Sequence, residues 1–161
     1  MTRIQKFLVY YFIFCSMCII LGVFFGMVVD KNIIEASPPK VGTDFMMTVL
    51  TSNFKNFLSY LLLPIFSPIL QATDLIGSAF QITMGFRVLG KDEAMSHLFP
   101  HALLEFPNML FYQGASQYIL YVLISSKSLT EVFRQEKKML FMYLLSLLTL
   151  VVAALLEGYI G

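Results

Sequence analysis

Charged residues are scarce in this sequence. Asp, Glu, Lys and Arg together make up 13% of the 161 residues, whereas 58% of the residues are hydrophobic. Because an ordinary globular domain carries about 25% charged residues, this composition excludes a water-soluble fold for most of the chain. The net charge of +1 also gives no argument for binding nucleic acid. The composition therefore predicts the lipid bilayer as the main surroundings and partner of the protein.

Motifs of soluble chemistry are missing as well. The sequence contains no G-x-S-x-G, no glycine-rich phosphate loop and no C-x-x-C-x-C array, which leaves a soluble-type hydrolase, an ATPase and a metal cluster without support. His97, His101 and Glu105 are spaced i, i+4 and i+8. However, the glutamate of the H-E-x-x-H zinc motif is absent, and Pro100 separates the two histidines. We therefore predict neither a metal nor a cofactor.

Two long apolar runs predict membrane helices near the two ends of the chain. Phe7–Val29 is 23 residues long and uncharged, and Met139–Ile160 contains a single charge, Glu157. Each exceeds the roughly 20 residues that a helix needs to cross a hydrocarbon core of about 30 Å. The first run follows a basic start, as in a signal peptide, but it is longer than about 15 residues and no A-x-A-like site follows, so we interpret it as a retained anchor. Its cysteines, Cys15 and Cys18, are interpreted as packing residues, with a redox or lipidated pair as the alternative.

The middle of the chain needs a break. Phe54–Leu89 is apolar for longer than one crossing requires, since it would extend over about 54 Å as a helix. We predict the break at QATD, Gln71–Asp74, which follows two prolines and offers Thr73 or Asp74 as a helix cap. The two short pieces then form a hairpin or a broken, re-entrant pair. Asp30–Asp44 contains two prolines and a glycine, which predicts a loop outside the bilayer.

These patterns predict an all-α fold, a polytopic membrane helical bundle that forms a single domain over residues 1–161. SLTE, Ser128–Glu131, matches a capping box and predicts a polar helical extension, residues 128–138, that continues into the last membrane helix. Five crossings with a cytoplasmic N-terminus place six of the eleven basic residues, including the cluster that ends at Lys138, on the cytoplasmic side, as the positive-inside rule favours. The five predicted membrane segments are residues 7–29, 54–71, 74–90, 98–124 and 139–160.

The stretch LFPHALLEFPNMLFY, Leu98–Tyr112, brings ionisable groups into a membrane segment. Such a group costs at least about 2 to 3 kcal/mol at a helix centre in lipid unless it is paired or neutral. His101 and Glu105 lie four residues apart, so on a helix that begins at Pro100 they share a face and can form a hydrogen bond. The ionisable residues predicted at membrane depth are Asp74, His101, Glu105 and Glu157.

Three interpretations of the His101–Glu105 pair follow. It is a structural clasp between helices, a site that binds a peptide or an ion, or a catalytic pair. Catalysis would require a nucleophile or a metal that the sequence does not place, so a non-enzymatic role is favoured. Pro107 is predicted to kink the helix and to free carbonyls that side chains such as Asn108 or Gln113 can satisfy.

PHALLE, Pro100–Glu105, resembles the Pro-His-Gly-x-x-Glu signature of the stage II sporulation protein M family of bacterial integral membrane proteins. Asn53 and Asn56 resemble the asparagine-rich start of that family's second apolar block. AALLEG, Ala153–Gly158, resembles the Ala-x-x-x-Glu ending of its final helix. The candidate polar intramembrane site therefore consists of His101, Glu105, Glu157, Asp74, Asn53 and Asn56.

The family resemblance implies a membrane role and no single activity. Sporulation members look like scaffolds for a cell-wall-remodelling complex. Short members, of about this length, occur with circular bacteriocins, where they are linked to maturation, secretion and self-protection alongside an ATP-driven transporter. The resemblance thus implies a multi-pass protein of a bacterial cell membrane, with an ABC-type ATPase or other membrane subunits and a peptide substrate as partners. A cell-wall scaffold and an intramembrane peptide-processing enzyme are the alternatives.

Overall fold

The computed structural model describes residues 2–33, 42–126 and 128–160, without the side chains of residues 97–103 and 157–160. These residues form helices and no strand, which confirms the all-α prediction. Along the described chain follow α1 (Arg3–Val28), α2 (Thr43–Leu62), α3 (Ser67–Leu89), α4 (Lys91–Ser126) and α5 (Leu129–Ile160), with 3-10 turns at Lys31–Ile33 and Pro64–Phe66.

Helices suited to a membrane are present at both ends of the described chain. α1 and the Leu129–Leu156 part of α5 are long and apolar enough to cross a bilayer. α2 and the following Pro64–Leu89 segment pass the same test only as a broken pair, which would supply a third span. Two or three helices could therefore span a membrane by length and composition, which is consistent with a membrane protein, whereas the sequence analysis predicts five crossings.

The helix break lies at Leu63, so the prediction of a break at Gln71–Asp74 is wrong. α2 ends at Leu62, and Leu63 has φ −125° and ψ 53°, outside the helical region. A proline disfavours the helical conformation of the residue before it, so Pro64 ends α2 at this point. Pro68 lies in the first turn of α3, where its missing N–H would have had no partner within the helix. Gln71–Asp74 therefore continue α3 as regular helix.

α4 begins at Lys91, so the prediction that Pro100 begins a helix is also wrong. Gly90 has φ +86°, a left-handed conformation that glycine adopts without strain and that separates α3 from α4. Asp92 and Glu93 occupy the first turn of α4, where carboxylates interact favourably with the helix dipole. The helix then continues through Pro100 and Pro107.

The contacts divide the chain into two compact units, where the sequence analysis predicts one domain. The first unit consists of Met1–Pro39 and Ile69–Phe99, and it holds α1 and most of α3. The second consists of Lys40–Pro68 and Pro100–Gly161, and it holds α2, most of α4 and α5.

In the first unit, α1 packs on α3 through small residues. A Cβ atom at Gly22 would lie 2.4 Å from the carbonyl oxygen of Ile76, and one at Gly26 would lie 2.7 Å from Cβ of Thr83. Only glycine permits this approach, which is typical of helices that associate in lipid. The buried residues of α1 follow one face at spacings of three and four: Phe7, Tyr11, Cys15, Cys18, Gly22 and Gly26. Cys15 and Cys18 are each 5% exposed, as expected for packing residues.

Two polar side chains of α3 connect it to α1. The buried Gln71 donates from Nε2 to the hydroxyl of Tyr11 at 2.8 Å and to Sγ of Cys15 at 3.4 Å. Arg87 donates from Nη1 to the carbonyl oxygens of Gly26 at 2.5 Å and Val29 at 2.7 Å. These carbonyls lie at the C-terminal end of α1, where helical partners are missing and a cation complements the helix dipole. Arg87 therefore caps α1.

In the second unit, α2 and α4 run parallel and α5 runs antiparallel to α4. Asn53 contacts Glu105, whereas Tyr60, two turns further along α2, contacts Gln113 and Ser116. Near the connection between α4 and α5, a hydrophobic cluster packs the two helices together; it consists of Ile119, Val122 and Val132. Ser128 caps α5, because its hydroxyl accepts from the backbone N–H of Glu131 at 3.4 Å. The serine half of the predicted capping box is thus confirmed, and one continuous α5 follows it.

The close contact at Gly22 leads to a stability prediction. Gly22→Ala should lower the free energy of unfolding by about 1 to 3 kcal/mol, because the new methyl group must displace the backbone of α3. The matched control is Gly77→Ala on α3, where a Cβ atom meets no heavy atom within 4 Å. This control should leave stability unchanged or raise it by up to about 1 kcal/mol through helix propensity. Thermal unfolding of the detergent-solubilised protein measures both variants, and equal midpoints would contradict the packing described.

Candidate functional site

Glu105 is held by an amide from a different helix. Nδ2 of Asn53 on α2 donates to Oε1 of Glu105 on α4, and both side chains are partly buried. The two residues are 52 positions apart in the chain, and each belongs to the site predicted from the sequence. An ionised carboxylate is a strong acceptor, so the contact reduces the cost of placing Glu105 in an apolar segment.

The other predicted site residues are distributed differently. Asn56 is one turn beyond Asn53, and its Nδ2 donates to the hydroxyl of Tyr112 at 3.5 Å. Asp74 is part of α3 in the first unit. The side chains of His101 and Glu157 lie outside the described residues, so the clasp between His101 and Glu105 stays a prediction.

The contact continues along α2 and α4 as a row of polar pairs that we call the polar seam. One turn after Asn56 on α2, the hydroxyl of Tyr60 accepts from Nε2 of Gln113 at 3.1 Å. The hydroxyl of Ser116 donates to the backbone oxygen of Tyr60 at 2.6 Å. Tyr60, Gln113 and Ser116 are all almost completely buried. The polar seam consists of Asn53, Asn56 and Tyr60 on α2 and of Glu105, Tyr112, Gln113 and Ser116 on α4.

Aromatic rings fill the space beside the polar seam. Phe57 packs edge-on against Tyr112, with ring centroids 5.5 Å apart, and against Tyr143 of α5 at 6.2 Å. Tyr60 and Tyr112 are also 5.5 Å apart. Such rings bury large apolar areas while their hydroxyl groups remain available for hydrogen bonds. The rings thus join α2, α4 and α5. The only sequence signal for these contacts is the spacing of three residues between Phe57 and Tyr60 on α2.

Asn108 and Ser146 form a two-way hydrogen bond between α4 and α5. Nδ2 of Asn108 donates to the backbone oxygen of Ser146 at 3.0 Å, and the hydroxyl of Ser146 donates to Oδ1 of Asn108 at 2.7 Å. The sequence predicts that side chains such as Asn108 or Gln113 satisfy carbonyls freed by Pro107. Instead, Asn108 and Gln113 contact other helices. Periodicity cannot reveal this, because the partners are distant in the chain.

The Asn108–Ser146 pair marks the middle of an apolar span. Met139–Leu156 contains 18 residues and no charge, and Ser146 lies near its centre. If this span crosses the bilayer, the pair lies about 15 Å from either interface. Polar groups at that depth are stable only where protein satisfies them. A groove of about 150 Å³ runs beside the pair and is lined by Asn108, Phe111, Met142, Leu145, Ser146 and Thr149.

The geometry of the seam is suited to holding helices together. Its described groups donate and accept hydrogen bonds across helix boundaries, and Glu105 supplies one carboxylate. Among the described side chains, no group of three potential metal ligands occurs.

The Asn108–Ser146 pair can be tested by a double-mutant cycle. Asn108→Ala removes both hydrogen bonds and Ser146→Ala removes one, so the first variant should be the less stable. The coupling energy should be about 0.6 kcal/mol and at most about 1.7 kcal/mol, as measured for such bonds in membranes.

The control for this cycle is Thr149→Ala, because the Thr149 hydroxyl returns to the backbone oxygen of Leu145 within α5 at 3.0 Å. Combined with Asn108→Ala, it should show no coupling. Equal coupling for Ser146 and Thr149, measured by thermal unfolding in detergent, would contradict the pair.

Comparison with protein-family models, with curated proteins and with solved structures finds no match to this chain. The basis for a function is therefore the set of residues that resemble family motifs, together with the contacts that these residues make.

Proposed function

We propose that this protein acts in the maturation, secretion or self-immunity of a circular bacteriocin, as a non-catalytic membrane partner of an ATP-driven transporter. The observation that carries the proposal is the hydrogen bond between Asn53 and Glu105. These residues come from two separate segments that resemble motifs of the stage II sporulation protein M family. Their contact supports the view that the motif residues act together.

The third motif contributes to the same unit. Ala153 and Ala154 belong to the AALLEG segment and are 4% and 1% exposed within the second unit. Small buried residues at this point allow α5 to approach its neighbours closely. All three segments that carry the resemblance thus belong to the second unit, which supports one shared role for them.

The parallel course of α2 and α4 supports the five-crossing topology. If both helices cross the bilayer in the same direction, the chain between them must return across it. α3 has 23 residues and a length of about 35 Å, which is sufficient for that return. This topology leaves the N-terminus and the polar start of α5 in the cytoplasm, and it makes the protein a multi-pass component of the bacterial cell membrane.

A partner role fits the way the polar residues are used. Four polar side chains form hydrogen bonds to a neighbouring helix, which stabilises the packing of the helices in this chain: Asn108, Gln113, Ser116 and Ser146. The start of α5 adds a charged surface for an intracellular ATPase, where Arg134 and Gln135 contact Glu131. A peptide substrate would meet the membrane-embedded part, and the ATPase would meet the cytoplasmic extension.

Glu105 provides the functional test. Glu105→Gln keeps an oxygen that accepts from Asn53, so cells that express this variant should remain protected against the bacteriocin to within a few-fold. Glu105→Leu removes the acceptor and leaves the amide of Asn53 unsatisfied, which should cost about 1 to 3 kcal/mol of stability and reduce protection. Protection, thermal stability and copurification with an ATPase subunit are measured for each variant. Glu93→Gln, on the exposed start of α4, is the control.

Two results would replace the proposal. A stable Glu105→Gln variant that no longer yields processed peptide would indicate an intramembrane enzyme. Association with cell-wall hydrolases, together with no protection, would indicate a scaffold for cell-wall remodelling.

Topology has a separate test. A reporter fused after Lys138 should lie in the cytoplasm, so a fluorescent protein there should fluoresce and alkaline phosphatase should be inactive. Fusions after Asp30, which follows α1, should show the opposite pattern and serve as the control. An extracellular signal after Lys138 would overturn the five-crossing topology.

A further inference from the structure

Two lysines near the start of α5 face outward on the same side as the apolar part of that helix. Lys137 and Lys138 are both exposed. Phe141 and Leu144, four and seven residues after Lys137, are exposed as well. Residues at spacings of three, four and seven share one face of a helix. The lysine pair therefore lies at the start of a continuous, outward-facing apolar face of α5.

The length of the uncharged part of α5 fixes the level of the pair. α5 is by itself long and apolar enough to cross a bilayer. Residues 139–156 contain no charge, and they extend over about 27 Å as a helix, which is close to the thickness of a hydrocarbon core, about 30 Å. When this stretch occupies the core, Lys138 directly precedes it. The headgroup region adds about 5 to 7 Å on each side, so both lysines lie at the level of the lipid phosphates.

Two tyrosines of α4 indicate the same boundary. Asn108 of α4 bonds Ser146 of the antiparallel α5. Tyr118, ten residues further along α4, is therefore level with residue 136 of α5. The ring of Tyr121 stacks on that of Tyr118, with centroids 6.4 Å apart. Because tyrosine is enriched where membrane helices meet the headgroups, the two helices of this unit agree on the position of the interface.

The outward face of α5 stays apolar beyond the lysines. Phe133, four residues before Lys137, is 62% exposed, and Leu129 is 65% exposed. A face that only water surrounds needs no large apolar side chains, whereas the headgroup region accommodates apolar rings and basic groups together. Lysine stems can follow the apolar surface while their ammonium groups reach the headgroups. This mixture favours lipid over bulk water as the surroundings of the pair.

The positive charge of the pair is not balanced nearby. Arg134 contacts Glu131, which leaves the two lysines as the excess charge of this face. Among the side chains that the structure describes, no ion pair involves Lys137 or Lys138. The part of α4 at this level, residues 114–126, contains no acidic residue. The face therefore attracts an anion from outside the chain.

We propose that Lys137 and Lys138 bind the headgroup phosphate of an anionic phospholipid, whose acyl chains lie along the apolar face that begins at Phe141. Lysines next to a membrane attract anionic lipids electrostatically. A zwitterionic lipid interacts less strongly, because its own cationic group is close to its phosphate. The inference goes beyond the proposed function, since it uses neither the family resemblance nor the direction in which α5 crosses the bilayer.

A single tryptophan can report which lipid lies beside the pair. The chain contains no tryptophan, so Phe141→Trp introduces one reporter on the exposed side of α5, one turn from the lysines. The full-length variant is reconstituted in phosphatidylcholine vesicles that contain brominated phosphatidylglycerol or, in the matched sample, brominated phosphatidylcholine, because bromine quenches an indole that it contacts. Competition between the two lipids should favour phosphatidylglycerol about fivefold, the factor expected from one lysine at an anionic surface, and 1 M salt should weaken this preference.

Variants in the same reporter background identify the residues responsible. The double substitution Lys137→Gln, Lys138→Gln should make the two lipids quench equally. The matched control, Lys55→Gln with Lys91→Gln, removes the same charge from exposed lysines of α2 and α4 and should retain the preference. Equal quenching by both lipids beside the unchanged lysines, as expected if the pair is only solvated or serves a protein carboxylate, would overturn the inference. A preference that survives the loss of both lysines would do the same.

Discussion

Hydrocarbon offers no hydrogen bond to a polar side chain, and the interiors of both units are organised around this constraint. Gln71 in the first unit is fully buried and directs its amide to Tyr11 and Cys15. Asn108 in the second unit pairs with Ser146 in both directions. In each unit, polar groups that would be costly in lipid are thus used to connect two helices. Their hydrogen bonds fix which helices are neighbours, since apolar surfaces alone do not distinguish a helix from lipid.

The lipid surroundings also explain why large side chains face outward and small side chains lie between helices. In a water-soluble protein large apolar side chains are buried, whereas here many of them face outward, such as Tyr10 on α1 at 69% exposure and Phe141 on α5 at 72%. The buried face of α1 includes cysteine and glycine. Lipid can surround a large apolar side chain, but only small residues allow two helix backbones to approach closely. Van der Waals contact between backbones therefore takes over the role that side-chain burial has in water.

α2 differs from the other helices of the second unit because it has polar side chains on two faces. One face is used within the second unit, where Asn53, Asn56 and Tyr60 contact α4. The other face contains Lys55 and is open. A helix of this kind makes polar contacts within its own chain on one side and exposes polar side chains on the other.

Much of the fold was predictable because it depends on local patterns. The apolar runs at both ends predicted membrane helices, and SLTE predicted the start of α5 at Ser128, because span length and capping are properties of a few consecutive residues. Glu105 was recognisable as important because a carboxylate in an apolar segment is costly wherever it occurs. The predicted position of the break is wrong because Pro64 acts on the residue before it, whereas QATD offers a cap that the chain does not use.

The partner of each polar residue was decided by the tertiary structure. Asn53 and Glu105 are 52 residues apart, and no periodicity relates two positions on separate helices. Asn108 could equally have satisfied a carbonyl of its own helix, but the approach of α5 placed Ser146 within reach. The sequence by itself determined which residues need a hydrogen bond in lipid. Packing determined which residues provide it, because the register and direction of neighbouring helices exist only once those helices are in contact.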